Sequence, residues 1–91
     1  MAKARKQIQP RSGPERAFGE ALREIRLAQG ISQMDLCTAS GIDRTYISAV
    51  ERGLQGPTVR MVARFAKYLK VRPSDLILRM EQSKFYSERS L

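Results

Sequence analysis

The sequence contains no histidine, no tryptophan and only one cysteine, Cys37. A single cysteine cannot form an intramolecular disulfide, and a structural zinc site needs about four Cys or His ligands, so both are excluded. A catalytic triad that depends on histidine is excluded as well. No apolar run approaches the roughly 20 residues that cross a bilayer, and the basic N-terminus lacks the apolar stretch of a signal peptide. These absences predict a cytoplasmic protein with no metal, no cofactor and no membrane partner.

Acidic residues are scarce relative to basic ones. The 91 residues include 17 Lys and Arg against 9 Asp and Glu, a formal net charge of +8. A small domain with this excess attracts polyanions, and nucleic acid is the expected partner. Part of the excess lies in residues 1–11, which have few large apolar side chains. We interpret this segment either as a flexible basic arm that reaches DNA phosphates or as a solubilising tail.

Helix start and stop signals follow one another along residues 12–80. The candidate capping residues Ser12, Ser32, Asp43 and Thr58 precede four helical patterns, and Pro73 opens a fifth. The first helix is expected over residues 13–29. Apolar residues recur at helical spacing, and no segment alternates with period two. The sequence therefore predicts an all-α fold, a compact five-helix domain over residues 12–80, followed by a C-terminal tail, 81–91, that either extends the fifth helix or forms a dimer contact.

The most informative unit is residues 33–52, where two short helices meet at a turn with Gly41 at its apex. Such a corner sets the helices at about 90–120° to each other. Ile47 and Val50 point inward from the second helix. Its outer face then carries Arg44, Thr45, Tyr46, Ser48, Ala49 and Arg52. A helix whose exposed face is small or polar in this way fits the major groove of B-DNA.

Several motifs between residues 18 and 77 occur together. They are residues 22–26 (Leu-Arg-Glu-Ile-Arg), 30–33 (Gly-Ile-Ser-Gln) with Leu36, 41–48 (Gly-Ile-Asp-Arg-Thr-Tyr-Ile-Ser), 51–53 (Glu-Arg-Gly), 57–58 (Pro-Thr), 69–71 (Leu-Lys-Val) and 75–76 (Asp-Leu). This set resembles the phage-repressor-like helix-turn-helix family, also called the Xre or Cro/repressor type. Residues 43–48 are also similar to restriction-modification controller proteins, which are dimeric regulators of the same family. Two positions depart from the family pattern, since Ala is usual at Cys37 and Gly at Lys70, where a lysine implies a strained or altered helix end.

The resemblance implies roles for individual residues. Base edges in the major groove would be contacted by Arg44, Thr45, Ser48 and Ala49. The DNA backbone would be contacted by Ser32, Gln33, Tyr46, Arg52, Gln55, Gly56 and Thr58. For Tyr46 a half-buried position at the rim of the core is the alternative. Arg26 and Glu51 are implied to form a structural ion pair between the first and third helices.

The C-terminal tail carries more apolar side chains than a domain of this size needs inside. We predict that Leu78, Phe85, Tyr86 and Leu91 form the contact of a homodimer. The alternative is a tail that folds back on its own monomer.

These features predict a bacterial, sequence-specific transcription regulator, such as a repressor, that binds an inverted-repeat operator in double-stranded DNA as a homodimer. The sequence has no paired carboxylates, phosphate-cradling glycine loop or nucleophile with its base, so an enzyme is not expected, and no small-molecule ligand is evident. One alternative is an antitoxin or adaptor whose C-terminal tail binds a partner protein. Another is a bridging coactivator of the same fold that does not read bases.

Overall fold

The computed structural model describes residues 13–91, and over that range it contains five α-helices and no strand. The helices are α1 (Pro14–Ala28), α2 (Gln33–Ser40), α3 (Arg44–Glu51), α4 (Val59–Leu69) and α5 (Pro73–Glu81), followed by a short 3-10 helix, Glu88–Ser90. The predicted all-α fold with five helices is confirmed. The predicted basic arm, residues 1–11, and the predicted cap Ser12 lie outside the described residues. None of the helices in residues 13–91 has the length and apolar character needed to span a bilayer.

Side-chain caps fix the starts of the central helices. At α2 the backbone N–H of Asp35 donates to Ser32 Oγ at 2.9 Å, and the backbone N–H of Ser32 donates to Asp35 Oδ2 at 2.8 Å. The hydrogen bond from the Ser32 backbone to the carboxylate lowers the pKa of Asp35, because it favours the charged form. Asp43 and Thr58 each accept a backbone N–H from two or three residues further on, at 2.9 and 3.1 Å. Local sequence therefore sets where α2, α3 and α4 begin.

The turn between α2 and α3 is held by hydrogen bonds as well as by its glycine. Gly41 takes a left-handed conformation with φ of 75°. The buried hydroxyl of Ser40 donates to the Leu36 carbonyl at 2.6 Å and accepts the Ile42 N–H at 3.0 Å. From α4, Arg64 Nη2 donates to the Ser40 carbonyl at 3.0 Å. The angle between α2 and α3 is thus fixed from both sides of the turn.

Apolar side chains from all five helices form one core. Its largest fully buried members are Leu22, Leu36, Ile47, Val50, Phe65, Leu69 and Leu76. Where α1 crosses α3, Gly19 allows the two backbones to touch. A Cβ atom at Gly19 would overlap the Val50 carbonyl oxygen and lie 2.7 Å from the Glu51 carbonyl oxygen. The core therefore positions α3 against α1 at backbone contact.

The end of α4 keeps a left-handed residue even though it is not glycine. Lys70 has φ of 59° and ψ of 40°, and it is the one non-glycine residue with positive φ among residues 13–91. The Gln29 side chain donates to the Leu69 carbonyl just before it. The predicted strain at Lys70 is thus present, and the helix end retains the left-handed shape that a glycine would take.

After α5 the tail turns back across α1 of the same chain. Ser83 Oγ donates to Glu20 Oε1 at 2.6 Å. The Arg16 guanidinium lies over the Phe85 ring, 4.0 Å from the ring centroid. For Phe85 this is the fold-back arrangement that the sequence left open as the alternative to a dimer contact.

Candidate nucleic-acid interface

Helix α3 presents one face to the core and the opposite face to solvent. Ile47 and Val50 are completely buried. The four predicted base-contact residues lie on the other side, with Arg44 and Thr45 exposed and Ser48 and Ala49 half-buried. They follow the spacing i, i+1, i+4, i+5, which places them on one stripe of the helix. At eight residues, α3 is about 12 Å long, which is comparable to the width of the major groove of B-DNA.

A buried ion pair ties α3 to α1 and α2. Arg26 Nε lies 2.7 Å from Glu51 Oε2, and Arg26 Nη2 lies 2.8 Å from Glu51 Oε1. A third donor, Arg26 Nη1, reaches the Ile31 carbonyl at 2.9 Å. The hydrogen bonds and charge of Glu51 raise the pKa of Arg26 against the opposing effect of burial. The structure therefore places Arg26 and Glu51 together, as the family resemblance implied.

The same network orients the start of α2. Gln33 Nε2 donates to Glu51 Oε1 at 3.0 Å, so one amide hydrogen of Gln33 is used inside the protein. Ser32, Gln33 and Arg44 line one concave surface together with Gly30. The free backbone N–H groups at the start of α2 and the helix dipole favour an anion there. Arg44 adds a positive charge to this side of the interface.

A second concave surface lies on the other side of the α2–α3 turn. Tyr46, Gln55, Gly56 and Thr58, four of the predicted backbone contacts, line it together. The Tyr46 ring is half-buried and stacks on Phe65, with 6.3 Å between ring centroids. Burial raises the pKa of the Tyr46 hydroxyl. Tyr46 therefore has the structural position that the sequence left as an alternative, while it also borders the surface.

Arg52 lines neither of these two concave surfaces. It is the C-cap of α3, is exposed, and its Nε donates to the Ser48 carbonyl at 3.4 Å. It lines a third groove with Arg16 and Arg23 of α1 and with Phe85 of the tail. Sequence reasoning did not select Arg16 or Arg23, because their approach to Arg52 depends on the crossing of α1 and α3.

The predicted dimer residues are divided between two environments. Leu78 and Leu91 are 53% and 76% exposed. Phe85 and Tyr86 are half-buried, and Phe85 lies against Arg16 of its own chain. Ile77, next to Leu78 on α5, is 37% exposed. The apolar surface of residues 13–91 that is free for a second copy thus includes α5 as well as the tail.

Comparisons with known proteins identify a helix-turn-helix family and restriction-modification controller proteins as similar to this chain. The family model described as "Helix-turn-helix" matches residues 22–76. Control protein C.BamHI from Bacillus amyloliquefaciens is 38% identical over 61 residues, which cover 66% of this chain and 75% of that protein. The restriction-modification controller protein C.AhdI from Aeromonas hydrophila superimposes with a TM-score of 0.65 at 39% identity, over 67% of this chain and 92% of its own. The controller protein C.Esp1396I, solved as a tetramer in complex with its natural 35 base-pair operator, gives a TM-score of 0.67 at 30% identity, over 74% of this chain and 88% of its own.

Proposed function

The chain belongs to the phage-repressor-like helix-turn-helix family of DNA-binding transcription regulators, and we propose that it binds an inverted-repeat operator as a homodimer, in the manner of a restriction-modification controller protein. The proposal rests on the outward face of α3. That face begins with the exposed Arg44 and continues with small side chains, while Ile47 and Val50 fix the helix from behind. Its partner is double-stranded DNA in the bacterial cytoplasm, and regulation by occupying an operator needs no catalytic step.

Arg44 supplies the strongest base contact in this proposal. A guanidinium can donate two hydrogen bonds to O6 and N7 of one guanine, which gives about 1–3 kcal/mol of discrimination against other bases. Thr45 offers a hydroxyl, or a methyl group that can pack against a thymine. Ser48 and Ala49, one turn later, are small enough to let the helix approach the base edges closely.

The two concave surfaces beside α3 hold the helix in register with the DNA. Ser32 and Gln33 would contact one phosphate at the start of α2, and Gln55 and Thr58 another through the second surface. Backbone contacts of this kind carry no sequence information but fix orientation. The buried Glu51 supports them, because it pairs with Arg26 of α1 and also accepts the Gln33 side chain, which connects the start of α2 to the end of α3.

A single copy reads only one half-site, so a specific site of this type requires two. The half-sites recognised by paired helix-turn-helix domains lie about 34 Å apart or a multiple of that. The exposed Leu78, with the adjacent Ile77 and with Leu91, provides apolar surface for an isologous contact. Analytical ultracentrifugation tests this part, and a monomer at high micromolar concentration would rule it out.

Selection of bound sequences from random duplexes tests base reading. We expect one motif repeated with two-fold symmetry. Arg44→Ala should weaken binding to that motif by about 1–3 kcal/mol and relax the preference at one base per half-site. Arg79→Ala, which removes an equal charge from α5, is the matched control and should leave the motif unchanged. Equal weakening of Arg44→Ala on every duplex would show that Arg44 does not read a base.

A further inference from the structure

The groove at the C-terminal end of α3 is lined by residues that are far apart in the sequence. Arg16, Glu20 and Arg23 of α1 form one wall, Arg52 stands at the end of α3, and Phe85 of the tail closes the groove. We call it the arginine groove, after Arg16, Arg23 and Arg52. None of the DNA-contact roles considered above uses Arg16, Arg23 or Phe85.

Positive charge dominates the arginine groove because three arginines outnumber the carboxylate of Glu20, while the charge of the other acidic lining residue, Glu51, is offset by Arg26. Glu20 accepts the 2.6 Å hydrogen bond from Ser83, and the buried Glu51 is paired with Arg26. The three groove arginines are exposed, and within residues 13–91 none of them forms an ion pair. The Arg16 guanidinium lies 4.0 Å from the centroid of the Phe85 ring. Because this contact already orders the Arg16 side chain, less conformational entropy is lost when Arg16 binds a ligand.

The position of the groove indicates its ligand. The first turn of α1 packs on the loop that follows α3, where a Cβ at Gly53 would lie 3.0 Å from Arg16 Cα. The same loop carries Gln55 and Gly56, which we propose contact the DNA backbone. Arg16 and Arg23 are seven residues apart on α1 and so are separated by about 10 Å along it. Charges spread over this length suit an extended polyanion better than one small anion.

We propose that the arginine groove binds the sugar–phosphate backbone of the operator duplex beside the loop contact, with Phe85 as the positioning residue for Arg16. Guanidinium groups pair with phosphate through two parallel hydrogen bonds, which favours arginine in this role. The inference rests on the proposed function, since it extends the same DNA interface to α1 and the tail.

Salt dependence of binding provides the test. The probes are the operator obtained by selection and a random duplex of equal length, because backbone contacts do not depend on sequence. Arg16→Gln/Arg23→Gln should make the negative slope of log K against log salt shallower by about 1.8, at about 0.9 for each lost phosphate contact. The ratio of the wild-type binding constant to that of the variant should then fall by roughly 12-fold as the salt concentration rises from 50 to 200 mM. Lys67→Gln/Arg79→Gln removes the same charge from exposed positions on α4 and α5, and its slope should match the wild type.

Two substitutions at Phe85 test the positioning role without changing net charge. Phe85→Leu removes the ring and should make the negative salt slope shallower by up to about 0.9, the value for the one contact made by Arg16. Phe85→Tyr keeps the ring and should preserve the slope. Thermal melts of each variant show that the fold is intact.

The outcomes separate this inference from the proposed function. If the slope of Arg16→Gln/Arg23→Gln equals that of the control pair on both duplexes, the groove does not bind DNA, and operator selection by the wild type is untouched. If Phe85→Leu binds like the wild type, the positioning role is wrong. A wild type that prefers no sequence contradicts the proposed function, while the random duplex still decides whether the groove contacts the backbone.

Discussion

Loss of the Glu51 charge should be among the most destabilising single changes in this domain. The side chains of Arg26 and Glu51 are only 6% and 2% exposed, so neither charge is compensated by water. In Glu51→Gln the shape is kept, but the Arg26 guanidinium stays buried with only neutral acceptors, including the Ile31 carbonyl. Removing one partner of a buried pair costs about 3–5 kcal/mol. Because Glu51 raises the pKa of Arg26 above its already high ordinary value, raising the pH does not remove the charge of Arg26.

The chain contains a matched control for this effect. Arg79 Nη1 lies 3.0 Å from Glu24 Oε1, in a pair whose side chains are 46% and 48% exposed. Glu24→Gln therefore makes the same chemical change where solvent screens the charges, and its cost should be about 0–1 kcal/mol. The difference between the two variants isolates the contribution of burial.

Urea unfolding followed by far-ultraviolet circular dichroism measures both costs. At about 0.05–0.15 kcal/mol per residue, a chain of this length has a free energy of unfolding of roughly 5–14 kcal/mol, which leaves room to observe the loss. Equal shifts for Glu51→Gln and Glu24→Gln, at an unchanged urea slope, would refute the reasoning. Replacing both buried partners, as in Arg26→Met/Glu51→Met, should restore most of the stability, because no unpaired charge remains.

Three further predictions concern local geometry. Gly19→Ala should lower the free energy of unfolding by about 1–2 kcal/mol, since overlap with the Val50 carbonyl outweighs the roughly 1 kcal/mol gain in helix propensity; a more stable variant would show that α1 and α3 can separate freely. Lys70→Gly should raise that free energy by about 1 kcal/mol by relieving the left-handed backbone, whereas Lys70→Ala should give no gain, and equal values for the two would contradict the strain. Because the pKa of Asp35 is lowered from 3.8, its stabilising contribution is present above that pH and is lost as the pH falls through the lowered value. Asp35→Asn should therefore flatten the acid limb of the stability curve, and parallel curves for variant and wild type would argue against the capping contribution.

The fold could be predicted from the sequence because its signals are local. Each cap, such as Ser32 with Asp35, acts within one helical turn, and Gly41 ends α2 by a property of its own backbone. The face of α3 follows from helical periodicity once Ile47 and Val50 are assigned to the core. These short-range rules were sufficient to place the four predicted base-contact residues on one outward face.

Other features could not be predicted because they arise where distant segments meet. Gly19 resembles an unfavourable glycine in a helix until α3 is placed against it, and then it becomes the point of closest approach. Arg64 belongs to a basic face of α4, yet its guanidinium reaches the Ser40 carbonyl in the turn between α2 and α3. No periodicity encodes such pairs, because they depend on the angles between helices.

The tail is where the sequence-based interpretation changes most. Composition alone treats Phe85, Leu78 and Leu91 as one apolar set, suited to a second copy of the chain. The structure separates them, because Phe85 covers Arg16 while Leu78 remains exposed on α5. If the arginine groove binds DNA as we propose, the Phe85 ring that orders Arg16 of α1 belongs to that interface, and we expect the dimer contact to lie elsewhere. We therefore expect the dimer contact to centre on the exposed Ile77 and Leu78 of α5, a helix that packs against α1, and to leave the arginine groove free.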